Sequence, residues 1–500
     1  MSLLTHFAGR LAVLAALALL PLGALAQKPA RPLSAPTLPA PIAKALERAQ
    51  VPRDALSLLV LDASGRLPPR LSQRADLALN PASVMKLVTT YAALDQLGPE
   101  FTWSTRVLAD GVLSGGLLHG NLVLRGGGDP KLVVERLQAL LAQVQASGVK
   151  VIRGDMVLDR SAFELSGQDA GEFDGEPLRP YNASPDALLI NFKSIVLRFT
   201  PDPANGRALV QVEPPMAGLQ IDESVPMLRV SRCGDWRSEL RASLDNPNRL
   251  QFAGTYSSAC GERVWPVAYA EPDSYAARAI EGSWRALGGL LTGRVRDATA
   301  AEQIMLRSRG SLSGETVPLR FDAPSLPLRD IVRDVNKFSN NVMARHLFLT
   351  LGRQAQAGAN PQGTQQAGRA ALDAWWKKIL PLQLPPVLEN GSGLSRIERI
   401  SASSLAAMLQ HAAQSRVAQD LLDSLPIAGV DATMRARATA VSGQAFIKTG
   451  SLRDVAAIAG YANGNSGARY VVVGIINHPN AVAARPALDA LIQWTVQDQR

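Results

Sequence analysis

Ser83 and Lys86 stand three apart in "NPASVMKLVTTY", at the head of an apolar run. On a helix, residues i and i+3 share one face. A lysine withdrawn from water beside a hydroxyl favours its neutral form. A neutral amine can then take the hydroxyl proton and create a nucleophile without histidine. Alone the tetrad is weak, because chance supplies about one Ser-x-x-Lys in a chain of this length. Taken alone, a cap-like serine beside a surface lysine is the better explanation.

Two later stretches change the balance. "VNKFSNNVMA" carries Ser339 and Asn341, and "AFIKTGSL" carries Lys448, Thr449 and Gly450. With Ser83 and Lys86 these resemble, in chain order, the three-element set of penicillin-binding proteins and serine β-lactamases. The residue types suit that chemistry. Ser339 can relay a proton between Lys86, Lys448 and a leaving nitrogen. The Asn341 amide can hold a substrate's peptide bond. Lys448 and Thr449 can bind a terminal carboxylate through a charge-assisted hydrogen bond. Gly450 lets a substrate backbone lie close to the strand. The backbone N–H groups of Ser83 and Ser451 would form the oxyanion hole.

These residues need elements to hold them. "ALSLLVLDASG" reads as a strand ending in a turn. Pro81 suits a helix start, and Gly98 with Pro99 a stop, which puts Ser83 in a first helical turn. From about Leu113 to Pro266 short strands alternate with glycine and aspartate. "SYAARAIEGSWRALGGLL" then reads as helix. Helices dominate from "LPLRDIVRDVNKF" until "GQAFIKTGSL", "VAAIAGYAN" and "ARYVVVGIINH", which read as strands before a closing helix from about Pro486. The expected fold class is α/β and multi-domain. Segments 43–105 and 310–500 form one discontinuous α/β domain around an inserted β-rich region, 106–309.

The N-terminus reads as an export signal. Arg10 precedes an apolar core too short to span a bilayer, which takes roughly 20 residues, and "ALA" before Gln27 is a small-x-small cleavage pattern. Residues 1–26 are therefore expected to be removed, and the Pro/Ala-rich 27–42 to form an extended lead-in. The net charge of +9 is spread without basic blocks, so nucleic-acid binding has little support. Cys233 and Cys260 form an even pair in an exported chain, which points to one disulfide. The histidines show no metal spacing, and no cofactor is expected. Gly126–Pro130, "GGGDP", lacks the Lys-Ser/Thr of a phosphate loop. Tyr461-Ala462-Asn463 reads as strand and turn.

About 256 residues separate Ser83 from Ser339. Given that gap, the chain resembles the peptidase S13 D-alanyl-D-alanine carboxypeptidase/endopeptidases, the class C low-molecular-mass penicillin-binding proteins of the penicillin-binding protein 4 type. The strings that carry the likeness run through nearly the whole chain after the leader: "NPASVMKLVTTYAAL", "LRGGGDPKL", "GDMVLDRSAF", "VNKFSNNVMARHL", "NGSGLSR", "LPIAGVDATMRAR", "IKTGSL" and "AGYANG". The resemblance implies a transpeptidase/β-lactamase-like domain, an antiparallel sheet flanked by helices, interrupted by two inserted domains. It implies a periplasmic enzyme that cleaves D-Ala–D-Ala stem peptides and peptidoglycan crosslinks through an acyl-enzyme at Ser83, with β-lactams as inhibitors. Arg396, and Asp159 in the "GDMVLDRSAF" region, would meet the diaminopimelate end of the substrate. Peptidoglycan and β-lactams are the implied partners, and a homodimer is compatible with them. Three departures bear on substrate preference: Glu389-Asn390 where Asp is common, Ala432 where Gly is usual, and Arg453 where a neutral residue can stand. A β-lactamase or esterase on the same fold, or a non-catalytic penicillin sensor, are the competing readings.

Overall fold

The runs Val455–Asn463 and Arg469–Asn477 are apolar with no polar alternation, and both are buried nearly end to end. Such a run fits a strand covered on both faces. In the computed structural model they are central in a five-stranded sheet ordered Leu71–Gln73, Leu56–Asp62, Arg469–Asn477, Val455–Asn463, Ala445–Leu452. Every pairing is antiparallel. Successive side chains point to opposite faces. Ala457, Ala459 and Tyr461 therefore join one core, with helices Lys86–Leu97, Leu328–Lys337, Asn341–Gln354 and Ala402–Ala413. Ala456, Ile458 and Ala462 join another, with helices Ala40–Arg48 and Arg485–Val496.

The structure describes residues 38–498 except 166, 168, 309, 313–318 and 359–360. The expected leader, 1–26, and most of the 27–42 lead-in lie outside the described residues. The end of that lead-in is not extended. A helix begins at Ala40 with a proline in its first turn, where the missing N–H costs nothing. Among the described residues, no helix is long and apolar enough to cross a membrane.

Between Leu71–Gln73 and Ala445–Leu452, the two edge strands of the first sheet, the chain builds further sheets. Ser104–Ser114 and Leu117–Gly126 form a long hairpin at the centre of a seven-stranded sheet. A five-stranded sheet containing Ser194–Asp202 shares a core with it around Phe199, Tyr256, Tyr275 and Trp284. Cys233 and Cys260 are joined by a disulfide. Leu319–Pro324 pairs with Ser104–Ser114, and the helix that follows, Leu328–Lys337, packs in the core of the first sheet. The helix Val134–Ala146 is absent from the elements expected above, although Leu137, Leu140, Leu141 and Val144 carry helical spacing.

Candidate active site

Ser83 lies in a 3-10 turn, Ala82–Met85, that runs directly into the helix Lys86–Leu97. The turn is entered through Ala82 at φ +47°, a left-handed conformation that L residues with a Cβ rarely adopt. Its neighbours hold it there. The Ala82 N–H donates to Asn80 Oδ1 at 2.8 Å. Asn80 exchanges two hydrogen bonds with Asn477 on the central strand, at 2.8 and 2.9 Å, and donates to the Ser395 carbonyl at 2.9 Å. Neither Asn80 nor Asn477 was singled out from sequence. Both lie far apart in the chain, and their pairing is a tertiary event.

Lys86 is fully buried. Its Nζ is 2.9 Å from Ser83 Oγ, 2.6 Å from Asn341 Oδ1 and 2.5 Å from the Ser392 carbonyl. The last two are acceptors only. A neutral amine has two N–H bonds and one lone pair. The two N–H bonds satisfy the two carbonyl oxygens, and the lone pair is left facing the Ser83 hydroxyl. Burial, and next the charge of Lys448, hold the Lys86 ammonium well below the usual lysine range, with Glu398 opposing them.

The three residues Ser339-Asn340-Asn341 each have a separate task. Ser339, at φ +56°, places its Oγ 2.9 Å from Lys448 Nζ. Asn340 caps the next helix, its side chain accepting from Met343 N–H at 3.0 Å. Such capping fits asparagine well. Asn341 opens that helix, gives Oδ1 to Lys86 and donates Nδ2–H to the Tyr181 carbonyl at 3.1 Å.

Lys448 is likewise fully buried. Burial pushes its ammonium down to about 7, and its Nζ also donates to the Thr449 carbonyl at 2.8 Å. The amine is therefore turned into the protein, toward Ser339. Thr449 Oγ1 donates to Thr433 Oγ1 at 2.9 Å. Exposed Ser451 accepts from Arg485 Nη2 at 2.9 Å. Gly450 packs closely against the nucleophile's own turn. A Cβ there would meet the Pro81 carbonyl oxygen at 2.4 Å and the Ser83 nitrogen at 3.1 Å. Its missing side chain admits the Ser83 turn itself to the strand edge.

Ser83, Lys86, Ser339, Asn341 and Lys448 thus converge, with Thr449, Gly450 and Ser451 alongside. Arg396 lies at a neighbouring cleft of ≈ 300 Å³, with Arg345, Asp169, Glu172, Phe173 and Glu389 also in its wall. Arg396 stacks over Phe173 at 4.5 Å and reaches Asp454 at 3.4 Å. Asp159 does not join them. It is completely buried in the interposed sheet, paired with Arg125 Nε at 3.1 Å and accepting from Ser161 N–H at 3.0 Å. The acids at the cleft are Asp169, Glu172 and Glu389; of these only Glu389 was singled out from sequence. The Tyr461 hydroxyl donates to the Leu409 carbonyl inside the core, and Asp129 of the "GGGDP" turn pairs with Arg136.

Known proteins match this arrangement along the chain. The model of the D-Ala-D-Ala carboxypeptidase 3 (S13) family matches residues 38–498. The D-alanyl-D-alanine carboxypeptidase of Actinomadura sp. (strain R39) is 30% identical over 414 residues, 78% of this chain and 72% of its own. D-alanyl-D-alanine carboxypeptidase DacB of Haemophilus influenzae is 27% identical over 400 residues, 79% of this chain and 80% of its own. The crystal structure of penicillin-binding protein 4 from Haemophilus influenzae superposes with a TM-score of 0.69 at 23% identity, covering 90% of this chain and 99% of that one.

Proposed function

The chain belongs to the D-Ala-D-Ala carboxypeptidase 3 (S13) family of serine-type hydrolases, and from that premise we propose that it cleaves peptidoglycan stem peptides and crosslinks through an acyl-enzyme at Ser83. The observation that carries this reading is the Lys86 environment. Two carbonyl acceptors take its N–H bonds, so its lone pair is free for the Ser83 proton.

The proposed path begins when Lys86 takes that proton and Ser83 Oγ attacks the carbonyl of the penultimate D-alanine. The resulting oxyanion is held by the N–H groups of Ser83 and Ser451, donors aimed at charge as it develops. Ser339, hydrogen-bonded to Lys448, relays to the departing nitrogen the proton that Lys86 took, which leaves Lys86 neutral again, and D-alanine or a crosslinked strand leaves. Water then attacks the ester with Lys86 again as base, and Ser83 is restored. Asn341 holds the substrate amide, and Thr449 and Ser451, with Arg485 beside the Ser451 hydroxyl, hold the terminal carboxylate. A β-lactam would acylate the same serine. The cleft around Arg396 has carboxylates and guanidinium groups close together. That mixture suits a zwitterionic side-chain end such as diaminopimelate, with Asp169 or Glu172 in the part first expected of Asp159. The substrate and the sequence's export pattern support a periplasmic site of action.

The test is D-alanine release from a purified muramyl pentapeptide, with mass spectrometry of the penicillin-treated protein. Release by the wild type, none by Ser83→Ala, and an adduct on the Ser83 peptide are expected. Release that survives Ser83→Ala would overturn the proposal.

A further inference from the structure

Glu398 is completely buried, and the path above makes no use of it. Its Oε1 accepts from three successive backbone amides, Glu389 at 3.1 Å, Asn390 at 3.0 Å and Gly391 at 2.9 Å. The next residue in that turn is Ser392, whose carbonyl receives the Lys86 amine at 2.5 Å. The turn is seated closely. A Cβ on Gly391 would meet Thr89 Oγ1 and Phe348 Cδ2, both at 2.7 Å, and Thr89 donates to the Gly391 carbonyl at 2.7 Å. Glu398 Oε2 has no hydrogen-bond partner among the described residues.

A neutral side-chain amide could accept from the same three N–H groups, so the clamp alone does not call for a charge. Burying a carboxylate is costly unless something compensates it. Burial pushes the Glu398 carboxyl up on balance, the three amides and Lys86 opposing it only in part. The charged groups that act on Lys86 are Lys448, from the strand Ala445–Leu452, and Glu398, from across the Glu389–Ser392 turn. Lys448 disfavours a proton on Lys86, and Glu398 favours one.

We propose that Glu398 is a positioning residue for Lys86, clamping the Glu389–Ser392 turn onto the amine and setting a negative charge against that of Lys448. The inference rests on Lys86 being the base. When the Ser83 O–H bond breaks, its proton goes to Lys86 Nζ and an ammonium forms in a site closed to water. Burial pushes the Glu398 carboxyl up, so it is in its ionised form, favoured by the three amides, that Glu398 stabilises that ammonium as it develops. Removing the charge makes Lys86 a weaker base that also stays unprotonated at lower pH.

The test is the rate of acylation by a fluorescent penicillin between pH 5 and 10, for the wild type, Glu398→Gln and Lys86→Ala, with a thermal melt of each. Glu398→Gln keeps an acceptor for the three amides and loses only the charge. Its acid limb is expected to move down by about one pH unit, the effect of one nearby charge. Its plateau is expected to fall about tenfold, with the melting temperature within a few degrees of wild type. A Glu398→Gln profile that superposes on the wild type in limb and plateau would overturn the proposal, leaving Glu398 a purely structural clamp. Normal acylation by Lys86→Ala would instead remove the base assignment, and the proposal with it.

Discussion

Lys448 Nζ lies 2.9 Å from Ser339 Oγ, across 109 residues of chain. The contact repeats the one between Lys86 and Ser83, also 2.9 Å. Two buried amines therefore each face a serine hydroxyl. Neither amine is solvated, so each favours losing its proton, and together they repel a second one. That arrangement has a cost in stability, which can be measured.

Lys448→Met is expected to abolish acylation while leaving the protein as stable as the wild type at pH 7, or more so. Burial depresses the folded-state value to about 7, against an ordinary 10.5. Between those values the unfolded chain binds the extra proton, so wild-type stability rises with pH through that window. The Met variant lacks this dependence, and its advantage, on the order of a few kcal/mol at neutral pH, should shrink toward pH 10. Paired thermal melts at pH 7 and 9.5 read the difference. A variant that is less stable at pH 7 would show that hydrogen bonding outweighs desolvation here.

Gly450→Ala should damage the nucleophile without touching its chemistry. The new methyl would press on the Pro81 carbonyl oxygen at 2.4 Å. Backbone is the obstacle, so relief requires the Ser83 turn to move, at a cost of about 1–3 kcal/mol. A loss of acylation rate of at least about tenfold is expected with a lowered melting temperature, since a misplaced reacting atom is costly in rate. Wild-type labelling kinetics would show that the strand yields instead.

Arg396→Ala should separate labelling from crosslink cleavage. The guanidinium is half exposed, stacked on Phe173 and not bonded to Ser83 or Lys86. Penicillin acylation is expected within about twofold of wild type. Cleavage of dimeric muropeptides should fall about tenfold through KM, as for a lost charge-assisted contact. Chromatography of digested sacculi gives both species. Equal loss of both activities would place Arg396 in the acylation machinery.

Arg485→Ala should blunt recognition of a free C-terminus. Lys448 is turned inward, whereas Arg485 bonds the exposed Ser451 hydroxyl on the same strand. Comparing a D-Ala–D-Ala peptide with its C-terminal amide, the preference for the acid should drop about tenfold. An unchanged ratio would assign the carboxylate to the hydroxyls of Thr449 and Ser451.

Residue types and their order were enough to nominate Ser83, Lys86, Ser339, Asn341 and Lys448. The chemistry of an amine-activated serine restricts which residues can serve, and local signals such as Pro81, Gly98 and the apolar runs place them on elements. The strand Val455–Asn463 was legible for the same reason. What the chain could not disclose locally was which distant groups compensate one another. Asn80 with Asn477, Glu398 with three amides of another turn, and Gly450 against Pro81 are contacts made by closure of the fold. Asp159 shows the limit from the other side. Its motif suggested a ligand, but the interposed sheet buries it against Arg125, and Asp169 and Glu172 stand at the cleft instead. The sequence by itself determined the candidate reactive groups and the reaction class they suit, because these depend on side-chain chemistry. Only the tertiary structure decided their proton affinities and their neighbours, because desolvation and charge act through space and not along the chain.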